Sequence, residues 1–381
     1  MDRAIGMETL TSRWERETMI LERFKVPATD QVRVPEQSLR QTVTTIFEKM
    51  GVPPEDAAEG ADVLVTTDLR AVESHGVSNM LRTYVQQYRQ GRLNPQPHWR
   101  IVREFPGTAT IDGDGGLGVI QGPRAMRLAM EKARNVGVGV VTMFNSGHLG
   151  AVGHHAMVAA KGDMVGVCLT ATGASVVPTF AAEPRFGTNP ISIAAPARHE
   201  APIYFDVATS AIAGNKVRLA ARMGATLLPG WVTDKEGNPV LEETPAGERG
   251  QFWHLPLGGT REQGSHKGYG FALMAEILGS MLAGALPCML DANAGYKHYF
   301  AAYNIAAFTD LDWFKDTMDR MLHTLKTTKP ARGHDRVLYP GLSEYESEQE
   351  RHAKGIPLHK EVIQWFEGMT SELDIPPLKT L

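Results

Sequence analysis

The chain has 381 residues, 43% hydrophobic and 22% charged, with a formal net charge of −4. That is the composition of an ordinary globular protein of about two domains, and it offers no basic face to nucleic acid or to an anionic membrane. No apolar run reaches spanning length, and the charged N-terminus lacks the apolar centre of a secretory signal, so a cytoplasmic protein is expected. Its two cysteines, Cys168 and Cys288, lie in apolar stretches and read as buried free thiols of a reducing compartment.

Residues 1–33 read as an arm, a short charged helix followed by VPATDQVRVP, of the kind that packs on a partner subunit or frays. Residues 34–104 read as the first part of a helical domain. Gln37–Met50 is one helix, and Pro53 and Pro54 open a second through Ala57, Ala61, Leu64 and Val65. Val77, Leu81, Tyr84 and Tyr88 recur at helical spacing until Gly91 stops the third. Residues 105–294 change texture. TATIDGDGG, GVGVVTMF, MVGVCLTAT, PISIAAPA and APIYFDVAT read as strands, alternating with helical runs at 122–136, 150–161 and 208–222, and one more at 268–284. Residues 295–381 return to helix in three runs. The two helical ends are expected to join into one domain around the inserted sheet.

Six segments carry possible chemistry. Ser74, His75 and Gly76 stand just ahead of the third helix, where a histidine is held by the scaffold yet can face a cleft; a capping or surface histidine explains the local pattern as well. Gly113, Gly115, Gly116 and Gly118 match GxGxxG between a strand and a helix, but the acidic residue expected about twenty positions later is missing. His148, at a strand end, is followed by His154 and His155; a zinc site would need converging ligands and a base, and no metal is expected. Gly187, Thr188 and Asn189 form a turn, and Asp206 is placed to cap a following helix. His266, Lys267 and Gly268 open an apolar helix, whose N-terminal amides and lysine suit a phosphate.

In order along the chain, DLRxVxSHGV, DGDxGLG, SGHxGAxG, FGTNPIxIAAP, DxATS, HKGYGxALM and a late YPG resemble the type-2 malate/L-lactate dehydrogenase family. Its relatives include malate, sulfolactate and ureidoglycolate dehydrogenases and the 2,3-diketogulonate and piperideine-2-carboxylate reductases. The resemblance spans about residues 35–370 and leaves out the arm. It implies an α/β fold of α+β type that is not a Rossmann fold: a mixed-sheet cofactor-binding domain inserted into a helical orthogonal bundle built from both chain ends. It further implies a homodimer and NAD or NADP as cofactor, NAD being preferred, with hydride passing between nicotinamide and a small 2-oxo or 2-hydroxy acid. A cyclic or N-alkyl imine is the alternative substrate, and a non-catalytic dinucleotide-binding paralogue a further one.

By the same resemblance, the histidine of SHG falls on His75, the proton donor or acceptor, and that of SGHxGA on His148, which some members use instead. Ser74, Thr188 and Asn189 fall among the substrate contacts. Thr172, Asp206, Val207, Ala208, Lys267, Gly268 and Gly341 fall among the cofactor contacts. Most members carry an arginine four residues after the first histidine, where it can bind a carboxylate bidentately. Asn79 stands there in this chain, and Arg82, one turn further on, is the expected replacement.

Overall fold

Alternating apolar residues turn one face of each short strand into the core, and seven such strands hydrogen-bond into one mixed sheet. The computed structural model describes residues 24–247, 250–293 and 295–381. Its strands are β1 (Gln31–Val34), β2 (Arg100–Phe105), β3 (Thr108–Gly116), β4 (Val138–Ser146), β5 (Met164–Ala171), β6 (Ile191–Ala195), β7 (Ile203–Val207), β8 (Thr226–Leu227), β9 (Val232–Thr233), β10 (Thr244–Pro245), β11 (Trp253–His254), β12 (Tyr296–Asn304) and β13 (Ile356–His359). The α-helices are α1 (Glu36–Lys49), α2 (Pro54–Leu69), α3 (Val77–Arg89), α4 (Gly118–Val136), α5 (Val152–Ala160), α6 (Gly214–Met223), α7 (Ser265–Ala275), α8 (Leu311–Lys326), α9 (Leu342–Lys354) and α10 (Lys360–Glu372). The fold is α/β.

The large sheet runs β2-β3-β4-β12-β5-β6-β7. Within it β3 and β4 pair in parallel and every other neighbouring pair is antiparallel. Helices α4 and α5 lie on it, joining Ala125, Met126 and Ala156 to Val141, Cys168 and Phe300 in one core. Two glycines permit this close approach. A Cβ on Gly139 would sit 1.8 Å from the Ala129 carbonyl oxygen, and one on Gly166 2.2 Å from that of Ala156. A second core joins Leu39, Phe47, Leu64, Leu81 and Tyr84 to Ile356, Val362 and Phe366, so residues from both ends of the chain share it. Strand β1 seals that union by pairing antiparallel with β13.

Several boundaries differ from the sequence reading. YKHYFAAYN, assigned to the second helical part, forms β12, which lies between β4 and β5 at the centre of the sheet. Buried on both sides, it lacks the polar/apolar alternation that marks a half-exposed strand. Helix α8 is tied to the sheet's loops through Arg198–Asp312 and Lys315–Asp163 ion pairs. The run read as helix from 208 begins at Gly214, and the one expected over 268–284 starts at Ser265 and continues as a π-helical turn over Glu276–Met281. The described part of the arm packs on its own chain, where Phe24 is buried against Ile212, Leu219 and Trp231. The charged helix expected before it lies outside the described residues.

Candidate active site

The SHG segment occupies the turn between α2 and α3. Gly76 is the N-cap of α3 and has no side chain to accept the helix's first amides. Asp68, at the end of α2, does so instead: its Oδ2 accepts the Val77 N–H at 2.7 Å. Gly76 has an ordinary negative φ, and the need for glycine is one of space, because a Cβ would lie 2.1 Å from Asp68 Oδ1. Burial, with the Glu73 charge beside it, pushes the Asp68 carboxyl up to about 8. Arg351 of α9 clamps the turn by donating to the Asp68 carbonyl and to Glu73 Oε1, so both chain ends build it.

His75 is half-buried in this turn, with Nδ1 2.9 Å from Ser74 Oγ. Its ring stacks on His148, centroids 5.7 Å apart and planes 17° from parallel. Burial pushes the His75 pKa down to about 4, and the Lys216 charge adds to the effect. His148 is held well below its ordinary value by burial and by the His75 charge, so neither imidazole is charged at neutral pH.

The partners of His148 fix its tautomer. Tyr84 OH lies 2.6 Å from Nδ1, and the Gly150 backbone N–H donates to the same nitrogen at 3.3 Å. An amide N–H can only donate, so Nδ1 must be the bare nitrogen and Nε2 must carry the proton. Burial raises the Tyr84 phenol well above its ordinary pKa, which keeps it a donor. Tyr296 of β12 meets the His148 ring edge-on at 5.4 Å. Sequence reading had Tyr84 only as an apolar helix position and missed Tyr296; its signal was the alternation Tyr296, His298, Phe300 in an unrecognised strand. His298 ties to Thr170 Oγ1 at 2.8 Å and to the Gly147 carbonyl at 3.1 Å, bracing the loop that carries His148.

Of the other expected substrate contacts, Arg82 and the Asn79 and Asn189 side-chain amides already donate to protein groups. Asn79 is buried and donates to the Ser74 carbonyl at 3.0 Å and to that of Asn215 at 3.2 Å. Arg82 does not take over the missing arginine's place: it pairs with Glu361 at 3.1 Å and lies over the Trp365 ring. Asn189 is wholly buried, accepts the Thr172 N–H at 2.9 Å and donates to Glu276, while the Thr188 carbonyl accepts from Thr209.

A cavity of about 740 Å³ runs from the SHG turn to the end of β7. Its wall includes Ser74, Asp206, Val207, Lys216, Pro340 and Glu344. Of the expected cofactor residues it therefore gathers Asp206 and Val207, beside Ala208, and the turn containing Gly341. Gly341 has φ of 101°, and a Cβ there would meet the Tyr204 amide nitrogen at 2.7 Å. Thr172, Lys267 and Gly268 are not on this wall. Asp206 is a cap, but of a different helix from the one expected: its Oδ2 accepts the Gly153 N–H of α5 at 2.7 Å. Burial pushes its carboxyl up to about 6.

The space before Gly113, Gly116 and Gly118 is filled by protein. Added Cβ atoms would lie 2.8 Å from Gln121 Oε1, 2.3 Å from Gln121 Nε2 and 2.5 Å from the Gly147 carbonyl respectively, so these glycines serve packing rather than a pyrophosphate. His155 bonds the Leu149 carbonyl at 2.8 Å, and His154 lies 3.9 Å from Asp62. No cluster of three or more metal-ligating side chains occurs among the described residues, and no helix there is long and apolar enough to cross a membrane.

A model of the malate/L-lactate dehydrogenase family matches residues 34–367. The chain belongs to this family. It is 37% identical over 354 residues to a malate dehydrogenase of Pyrococcus abyssi, covering 91% of this chain and 97% of the relative. Identity to an L-sulfolactate dehydrogenase of Methanocaldococcus jannaschii is 34%, covering 88% and 96%. The solved malate dehydrogenase of Pyrococcus horikoshii superposes with a TM-score of 0.84 at 33% identity, covering 93% of this chain and 99% of that one. The matched span begins where the arm ends, and the protein is an oxidoreductase of the type that acts on CH–OH groups.

Proposed function

We propose that the protein is an NAD- or NADP-dependent dehydrogenase of a small 2-hydroxy acid, malate- or lactate-like, with His75 exchanging the proton. The observation that carries this reading is the stacked pair His75–His148, with Ser74, the residue before His75, on the wall of the large cavity. His148 is committed by its two donors to the Nε2–H form and can offer a hydrogen bond but cannot take a proton at Nδ1. His75, neutral and bonded among the described residues to the Ser74 hydroxyl, keeps a nitrogen able to accept the hydroxyl proton. Ser74 orients the ring, and a serine hydroxyl can donate or accept as the ring's protonation changes.

The cavity suits a dinucleotide. Its 740 Å³ lies within the roughly 300–1,000 Å³ of small-molecule and cofactor sites, and the glycine at 341 keeps the turn against Tyr204 free of a side chain. Asp206, Val207 and Ala208 at the end of β7, with Gly341 opposite, would hold it. When bound, the nicotinamide would supply the acceptor or donor of the hydride exchanged with the carbon that bears the hydroxyl. The chain's part is to seat the substrate against the His75–His148 stack and move one proton at His75.

An exposed apolar row on α7 and the π-helical turn after it, Phe271, Met274, Ile277, Met281 and Leu282, supports a homodimer. The test of function is NADH and NADPH fluorescence on binding, followed by turnover of a panel of 2-oxo acids and cyclic imines read at the nicotinamide absorbance. Failure of both coenzymes to bind overturns the reading, and turnover of imines alone reassigns the substrate. Light scattering would show twice the chain mass, and a monomer would remove the dimer.

A further inference from the structure

A 2-oxo or 2-hydroxy acid carries a carboxylate that must be met by a cation near the proton-exchanging group, and the family's usual arginine is absent at Asn79. Arg82 is engaged elsewhere. The cavity wall shows what else is on hand. Arg33 is paired with Glu350, Arg336 with Glu346 and Arg351 with Glu73, Lys354 lies 3.6 Å from Glu350, and Lys25 on the same wall is engaged as well. Lys216 differs: its ammonium makes no ion pair or hydrogen bond with any described residue, although it lines the same cavity as Ser74. Its Nζ lies 5.9 Å from the centre of the Phe24 ring, a contact that steers the ammonium without neutralising it.

Position adds to this. Lys216 is on the first turn of α6, next to Asn215, whose carbonyl accepts from Asn79. The residue standing where an arginine is expected thus anchors the helix that brings in a lysine. The Lys216 charge adds to burial in lowering the His75 pKa. Asp206 and Glu344 also face Lys216 and favour its charged form, while burial works the other way. Phe24 precedes the span shared with the family, so the arm of this chain contributes to the setting of the cation.

Resting on the dehydrogenase reading above, we propose that Lys216 binds the substrate carboxylate in place of the missing arginine, with Phe24 and the Asn79–Asn215 contact as positioning groups. An ammonium is a point charge rather than a planar fork, so the site would tolerate carboxylate orientations that a bidentate arginine would not.

The test uses the full chain and oxaloacetate, pyruvate and 3-sulfopyruvate as probes, with oxamate as a non-reacting analogue. Lys216→Met is expected to raise KM for the best probe by about 10- to 200-fold and to weaken oxamate by a similar factor, the range for losing a hydrogen bond to a charged group. Coenzyme affinity should stay within about twofold, and Lys216→Arg should recover most of the lost KM. An unchanged KM and oxamate affinity in Lys216→Met overturns the proposal. So does a loss confined to coenzyme binding, which would make Lys216 a phosphate contact. Coenzyme binding and turnover by the unaltered protein report on the dehydrogenase reading itself, so its failure is seen separately.

Discussion

The Tyr84 hydroxyl is the most direct handle on the proposed division of labour between the two histidines. Tyr84→Phe removes one oxygen and leaves the ring, so no cavity opens in a fully buried position. It deletes the 2.6 Å bond to His148 Nδ1 and leaves the 3.3 Å Gly150 amide as that nitrogen's remaining donor. Losing a buried bond whose partner stays half-satisfied costs about 1 kcal/mol of stability, toward the low end of the ~1–3 kcal/mol for an orphaned polar group. The larger effect is on turnover. With one weak donor left, the His148 ring is held less firmly and tilts in the stack, which would lower kcat by about 10- to 100-fold, as loss of an orienting partner does elsewhere. KM should change little, since Tyr84 does not line the cavity. Urea denaturation and steady-state kinetics measure the two parts. A variant with unaltered kcat would refute the idea that the Tyr84 bond sets the working state of His148.

Three further outcomes are expected. His75→Asn should cut turnover by about 10²–10⁴-fold with coenzyme affinity intact; near-normal turnover would transfer the proton role to His148. Gly76→Ala should destabilise the protein by about 2–4 kcal/mol, because the new methyl must expel the Asp68 carboxylate that caps α3, and an unchanged urea midpoint would show that the turn relaxes freely. The protein should lose stability between pH 7 and pH 5. Burial holds His155 near 4 and His298 near 3, and it also lowers His75, His148, His154 and His254. Below about pH 6.5 the unfolded chain binds protons that these folded histidines refuse, at about 2 kcal/mol by pH 5 for each wholly buried one. Asp68 and Asp206, with raised pKa values, gain protons on folding and act in the opposite sense, but they are two against six. A urea midpoint no lower at pH 5 than at pH 7 would contradict this sum.

Much of the molecule was legible in the chain itself. The periodicity of Val77, Leu81, Tyr84 and Tyr88 located α3, and alternation or short apolar runs located β3 to β7, because those patterns report a single buried face. The motif order located the family, since each motif marks a backbone constraint that few other residues satisfy. Strand β12 was hidden because a central strand buried on both faces carries no alternation. The helix boundary at Gly214 was hidden because the residues from 208 bond to distant loops such as Leu255 rather than to each other. The sequence by itself singled out His75 and His148 as the candidate chemistry-bearing histidines of a known scaffold. Only the tertiary structure decided how they differ, through a phenol from α3 and an amide from the loop after β4 that meet at one ring nitrogen. Tertiary structure also withdrew Arg82 into an ion pair and brought Lys216, more than a hundred residues away in the chain, to the same cavity. Tautomers and cation placement depend on which groups converge in space, and local sequence carries no record of that.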